Sequence, residues 1–273
     1  MTRIEAHQLA PTIGDLAGNQ DLALAAIRAA AARGAQLVVL PELVLTGYVF
    51  ASPEEARAVA IPADDARLLE WGAAGQGALV IGGFAELGSD GLLYNSAAVV
   101  GPEGVLAVYR KLHLWDREKL VFTPGLDAPP LLDTPHGRIA VMICYDLEFP
   151  ELTRGVALAG ADLIAVPTNW PLVPRPDGEH PPEVLIAMAA ARVSHLAIVA
   201  CDRTGTERGQ EWTAGTAVID ENGWVVAGPG LDGVATADLD LTLARNKTLT
   251  SLADAFGDRR PEIYARFAPL HQD

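Results

Sequence analysis

The chain of 273 residues has two cysteines, Cys144 and Cys201. That is too few for a disulfide framework and fits a reducing compartment. It is also short of positive charge, with 20 Lys plus Arg against 35 Asp plus Glu and a formal net charge of −15. Phosphate binding needs a basic footprint that this balance does not supply, so no nucleic acid partner is expected. With 20% charged and 50% hydrophobic residues, disorder is excluded as the main state. An uninterrupted apolar run is missing as well. The most continuous stretch, residues 184–201, carries Arg192, Ser194 and His195 in its middle, which a spanning helix would have to bury in hydrocarbon. It reads as a helix followed by a strand, and no membrane association is expected. The first ten residues hold no apolar segment ahead of a small-residue cleavage site, so no secretion signal is read there and a cytoplasmic location is expected. His7, His136, His180, His195 and His271 show no metal-ligand spacing, Gly82-Gly83 lacks a phosphate-loop context, and no metal or cofactor is expected.

What is present is an alternation of strands and helices. Residues 3–10 read as a strand, 18–33 as an Ala-rich helix ending before Gly34, and 35–40 as a buried strand. Helices near 53–60 and 63–75 precede an apolar strand at 78–81. Further on, 138–144 reads as a strand, 150–159 as a helix with Pro at its first turn, and 163–166 as another strand. Residues 96–108 and 215–227 resemble each other: each is an apolar strand, a polar turn closed by Gly and a second strand. This hints at a pseudo-symmetric chain with one hairpin per half. No linker divides these elements, so one α/β domain over residues 1–273 is expected. Residues 167–182 hold six prolines and read as a long ordered loop, expected to border a pocket.

Cys144 is expected to end a buried strand, before Tyr145-Asp146-Leu147-Glu148-Phe149-Pro150. A strand-to-helix junction lifts a nucleophile to the rim of a sheet, where ligands of α/β folds bind; a buried Cys is otherwise a common small core residue. Glu42, in Leu40-Pro41-Glu42-Leu43-Val44, is an acid among apolar residues. Such a carboxylate has a raised pKa suited to proton transfer near neutral pH, or it caps or ion-pairs a strand end. Lys111 closes the strand 105–110 and is either an oxyanion partner or a snorkelling surface lysine. His113 lies near these residues, but Cys144 lacks the local pattern of a papain-like Cys and His pair, which leaves His113 as a packing or supporting residue. Cys201 reads as core. Three strands thus end in Glu, Lys and Cys, and neighbouring strand ends can converge on one pocket.

These segments resemble the signature of the nitrilase superfamily of carbon-nitrogen hydrolases. Pro41-Glu42-Leu43 with Thr46-Gly47-Tyr48 is similar to its glutamate motif, and Tyr109-Arg110-Lys111-Leu112-His113-Leu114 to its lysine motif. Ile143-Cys144-Tyr145-Asp146 with Phe149-Pro150-Glu151 is similar to its cysteine motif. The order matches, and similarity continues through Arg154, Gly160-Ala161-Asp162, Arg203-Thr204-Gly205-Thr206-Glu207 and Asp258-Arg259-Arg260-Pro261-Glu262. The chain departs from the family pattern at Asp202-Arg203, where Asn-Arg is usual, and at Ala214-Gly215-Thr216.

The resemblance implies a four-layer α-β-β-α sandwich with Glu42, Lys111 and Cys144 as a catalytic triad, and a homodimer or larger assembly. It also implies that Glu118, seven residues after Lys111, is an auxiliary acid, whereas the charge run Asp116-Arg117-Glu118-Lys119 alone reads as a solvated face. Tyr48, Trp115, Tyr145, Asn169 and Trp170 are candidate pocket walls, or plain packing residues. The activity implied is hydrolysis of a small linear carboxamide to a carboxylate and ammonia through a Cys thioester. N-carbamoyl hydrolysis and true nitrilase activity are the alternatives. A non-catalytic binding protein, or a thiol sensor built on a low-pKa Cys144, is the reading from another class.

Overall fold

The structure, a computed structural model, describes residues 1–267; His271 lies outside them. Its first sheet is laid down by β1 (Thr2–His7), β2 (Leu37–Val39), β3 (Leu79–Leu87), β4 (Leu93–Gly101) and β5 (Gly104–Arg110). The second follows with β6 (Leu131–Thr134), β7 (Gly137–Val141), β8 (Leu163–Pro167) and β9 (Ala197–Cys201). After a short ribbon, β10 (Thr206–Glu207) with β11 (Gln210–Glu211), the chain adds β12 (Ala217–Ile219) and β13 (Val225–Ala227) to that sheet. It then returns to the first sheet as β14 (Val234–Leu239), antiparallel to β1.

The sheets repeat one plan. In the first, β1, β2 and β3 run parallel and β4 and β5 follow as an antiparallel hairpin. In the second, β7, β8 and β9 run parallel and are followed by the hairpin of β12 and β13. The two similar sequence segments are these hairpins, each at the same place in its half.

Helices α1 (Leu16–Ala32) and α3 (Ala66–Gly75) join the parallel strands of the first half, with the one-turn α2 (Pro53–Arg57) before α3. Parallel strands need such crossovers. α1 is built from Ala and Leu, opens where Asp15 accepts the Gly18 N–H at 2.9 Å, and is followed by Gly34 at φ 77, a conformation open to glycine. In the second half α4 (Pro150–Leu158) and α5 (Pro182–Ser194) play the same part.

Alternation along β2 sets the layers. Val38 and Leu40 pack with Leu24, Ile27, Leu68 and Trp71 of α1 and α3. Leu37 and Val39 face the other way, into a core cluster that runs through the second sheet and includes Ile139, Val141, Leu163 and Val199. On that sheet's far side Val156 and Ala187 of α4 and α5 complete the stack, so the order is α-β-β-α. No helix of the described residues is long and apolar enough to cross a membrane.

Element ends move from the sequence expectations. β7 stops at Val141, short of Cys144, although the Met142 N–H still reaches the Ala165 carbonyl at 3.1 Å. Gly82-Gly83, unexplained by the sequence, is where the chain after β2 crosses β3. A Cβ on Gly83 would lie 2.2 Å from the Leu43 nitrogen, so only glycine lets that turn approach.

Candidate active site

Three chain segments deliver the charged groups. The turn after β2 puts Glu42 wholly inside the molecule. Its approach is fixed by the Gly83 N–H on the Pro41 carbonyl, 3.0 Å, and by Asn19 Nδ2 on the Leu45 carbonyl, 3.0 Å. Lys111 extends the β5 ladder by one bond to the Asn95 carbonyl, 2.9 Å. Its side chain is fully buried, with Nζ donating to Glu42 Oε1 at 2.7 Å and to Glu118 Oε1 at 2.8 Å. Lys111 is therefore no snorkelling residue. Glu118 lies on a 3-10 turn, Asp116–Leu120, which turns it inward while Arg117 and Lys119 stay exposed. Its other donors are the Tyr48 hydroxyl, 2.5 Å, and the Trp115 N–H, 3.1 Å.

Cys144 opens a second 3-10 turn, Cys144–Glu148, with φ 47. A non-glycine residue in the left-handed region costs about 1–3 kcal/mol and persists only where its surroundings over-determine it. Asp146 does so here. Its Oδ2 accepts the Ile143 N–H at 3.0 Å and the Tyr109 hydroxyl at 2.8 Å, and its Oδ1 accepts the His113 N–H at 3.1 Å. The His113 ring nitrogen Nδ1 lies 2.8 Å from Oδ1, and the ring stacks on Phe149 with centroids 3.6 Å apart. Tyr109 and His113 flank Lys111, so one buried carboxylate couples the lysine strand to the cysteine turn.

Burial pushes the Glu42 carboxyl up to about 7 against the pull of Lys111, with the Glu118 charge adding to the rise. Burial also works against the Lys111 charge, but Glu118 and Glu42 outweigh it and hold the ammonium form well beyond the ordinary range. The Cys144 thiol is pushed up by burial and by the Glu42 charge, opposed by Lys111 and by the Asn169 backbone N–H. Burial thus favours the neutral thiol, and the Glu42 charge acts in the same direction. Glu42 Oε1 is already bonded by Lys111 and by Asn95 Nδ2 at 2.7 Å, whereas Oε2 is buried without a partner. That oxygen is free to take a proton.

Beside Cys144 lies a cavity of about 90 Å³ whose walls include Trp115, Tyr145 and Trp170. Trp115 and Tyr145 meet edge to face at 4.8 Å. Tyr48 lines a neighbouring cavity of about 110 Å³ that shares Trp115, and its hydroxyl is engaged by Glu118. Asn169 differs from expectation. It is fully buried and lines neither cavity, its Nδ2 donates to the Glu42 carbonyl at 2.8 Å, and its Oδ1 is buried without a partner, so it braces the Glu42 turn. The loop after β8 does border the Cys144 cavity, through Trp170, Pro171 and Val173.

Sequence reasoning missed Asn95, Asp146 and Asp202. Asn95 is a polar residue inside an apolar strand, a signal that was readable. Asp202 is wholly buried, pushed up to about 7 by burial, and accepts the N–H groups of Trp170 at 3.0 Å, Arg203 at 2.8 Å and Gly215 at 2.9 Å. It seats Trp170 from behind. At the departure from the family pattern this acid is thus an acceptor for three backbone donors, which an Asn amide nitrogen could not match.

Residues 3–247 match the family described as carbon-nitrogen hydrolase. The chain belongs to that family. It is accordingly a hydrolase acting on carbon–nitrogen bonds, of the nitrilase superfamily. It is 38% identical to a nitrilase of Pyrococcus abyssi over 97% of this chain and 100% of that one. It is 33% identical to an (R)-stereoselective amidase of a Pseudomonas species, over 94% and 91%. Among solved structures it resembles an amidase of Nesterenkonia sp. AN1 with a TM-score of 0.80 and 27% identity, over 98% of this chain and 100% of that one. That structure is of a Glu-to-Gln mutant of the amidase and shows the result of Michael addition of acrylamide at its active-site cysteine.

Proposed function

We propose that this family member is an amidase that converts small linear carboxamides to carboxylates and ammonia, with Cys144 as nucleophile, Glu42 as acid and base, and Lys111 as oxyanion partner. The observation that carries it is the fully buried ion network of Glu42, Lys111 and Glu118, in which Glu42 keeps one oxygen without a partner, together with the cavity that opens on Cys144; burial pushes the Glu42 carboxyl up to about 7. A base of that strength suits proton transfer near neutral pH.

Cys144 Sγ attacks the amide carbon as Glu42 takes the thiol proton. The carbonyl oxygen gains the negative charge and accepts hydrogen bonds from Lys111 Nζ and the Tyr145 N–H. An ammonium group has three donors, and Glu42 and Glu118 occupy two, so one remains. Each such oxyanion donor contributes roughly 3–4 kcal/mol. As the tetrahedral adduct collapses, the C–N bond breaks and Glu42 returns its proton to the leaving nitrogen, releasing ammonia. Water then attacks the thioester while Glu42 takes its proton, the C–S bond breaks, and that proton restores the thiol.

Small linear amides are supported by the Nesterenkonia amidase, whose Cys-to-Ala variant was solved with butyramide. The Pyrococcus relative keeps nitriles as a second reading. Ammonia release from matched amides, nitriles and N-carbamoyl amines decides. Fastest release from the amides is expected. Release from nitriles or N-carbamoyl amines alone overturns the amidase reading.

A further inference from the structure

Beyond its aromatic walls, the cavity at Cys144 has two carboxylates in its lining, Glu148 and Glu183. Glu148 is the last residue of the 3-10 turn that Cys144 opens, and Glu183 is the second residue of α5. Neither Lys nor Arg is among the lining residues. Lys111 is held between Glu42 and Glu118, so it does not neutralise this wall.

Glu183 in the first turn of α5 suits the positive end of the helix dipole, which accounts for an acid at that position. It does not account for Oε2, which is shielded from solvent and accepts no hydrogen bond. A shielded carboxylate oxygen without a donor is costly unless a ligand supplies one. Glu148 lies at the exposed mouth of this cavity, and its carboxyl is pushed up by desolvation and by the charge of Glu183; among the described residues no Lys or Arg lines the cavity between them. Indole and phenol rings beside paired carboxylates are the chemistry that receives an organic cation, through the π faces and the charges together.

The geometry points to a substrate amide whose far end carries a positive charge, an ammonium or guanidinium group held by Glu148 and Glu183 and flanked by Trp115, Tyr145 and Trp170. The inference rests on the amidase reading and sharpens it. A carboxylate-ended amide would meet two like charges in the same place, so ω-amides of dicarboxylic acids are disfavoured.

The test is a comparison of kcat/KM for three matched series: ω-amino amides, neutral alkyl amides of equal length, and amides ending in a carboxylate, each over a range of chain lengths. Expected are a preference for the amino amide over its neutral match of at least about fivefold, poorest use of the anionic series, and a preference that shrinks in about 0.5 M salt. In Glu148→Gln/Glu183→Gln the ratio of amino to neutral amide should fall toward one, chiefly through KM. Preference for the neutral or anionic series, or a ratio unchanged in the double variant, overturns the inference while leaving the amidase reading standing. If that variant does not fold, the wild-type ranking decides alone. No hydrolysis in any series overturns both.

Discussion

Cys144 and Cys201 belong to the same half of the molecule, are both shielded from solvent, and have thiols that burial pushes upward. They differ in backbone and in company. Cys201 is the last residue of β9, in register with Pro167 of β8, and its sulfur donates to the His7 carbonyl at 3.2 Å. Cys144 stands beyond the end of β7 in a left-handed turn, against a cavity and coupled to Lys111, Glu42 and Glu118. Burial alone makes a thiol inert. What turns one of these two into a candidate nucleophile is a base with a free oxygen, a cation for the charge that develops, and a backbone that lifts the sulfur out of the ladder.

The strongest way to break this contrast is to remove each sulfur in turn. Cys144→Ala should lower kcat on the preferred amide by on the order of 10⁴-fold or more with the fold intact by circular dichroism. Cys201→Ala should retain activity and lose about 1–2 kcal/mol of stability in denaturant melts, the cost of a small buried side chain and its bond. Equal loss of activity in two folded variants would falsify the contrast.

Next come the groups that distinguish the two surroundings. Glu42→Gln and Lys111→Met should each lower kcat by at least roughly 10²-fold. Wild-type kcat/KM should also carry a limb near pH 7. Glu42 is held above the ordinary carboxylate range, to about 7, so below that pH it is protonated and cannot receive the thiol proton. Activity should fall about tenfold per pH unit on the acid side, and rates that stay flat from pH 5 to 8 would remove Glu42 as the base.

A smaller effect is expected one bond further out. Glu118→Ala frees Lys111 Nζ and the Tyr48 hydroxyl, and should reduce kcat by roughly tenfold or more. Full activity in this variant would mean that Glu42 alone orients the lysine. The smallest change belongs to the cavity wall: Trp170→Ala should shift preference toward longer amides and raise KM severalfold with little effect on kcat. An unchanged chain-length profile would make the loop after β8 purely structural.

How far these features could be read in advance depends on whether their cause is local. The alternation of strands and helices, and the placing of Glu42, Lys111 and Cys144 near strand ends, follow from runs of apolar residues and their interruptions. Glu118 was different. Its neighbours look like a solvated charge run, and only resemblance to a family singled it out, because a five-residue 3-10 turn decides which of four charges points inward. The partners of Asn95 and Asp146 escaped for a related reason, although a polar residue inside an apolar strand already marked Asn95 as unusual. Asn95 meets Glu42 across 53 positions of sequence, and Asp146 meets Tyr109 across 37, pairings set by sheet order and not by local pattern. The similar hairpins hinted at two halves, but the repeated order of parallel strands became visible only in the sheets themselves.

The contrast between the two cysteines comes down to which of them carries the acyl group during turnover. Mass spectrometry of enzyme quenched in acid during steady-state hydrolysis of a good amide tests this most directly, since a thioester survives acid and adds the acyl mass to one peptide. That mass is expected on the peptide containing Cys144 and is lost once substrate is exhausted, with none on the peptide containing Cys201. An acyl group found on Cys201, or rapid turnover by Cys144→Ala, would contradict this assignment.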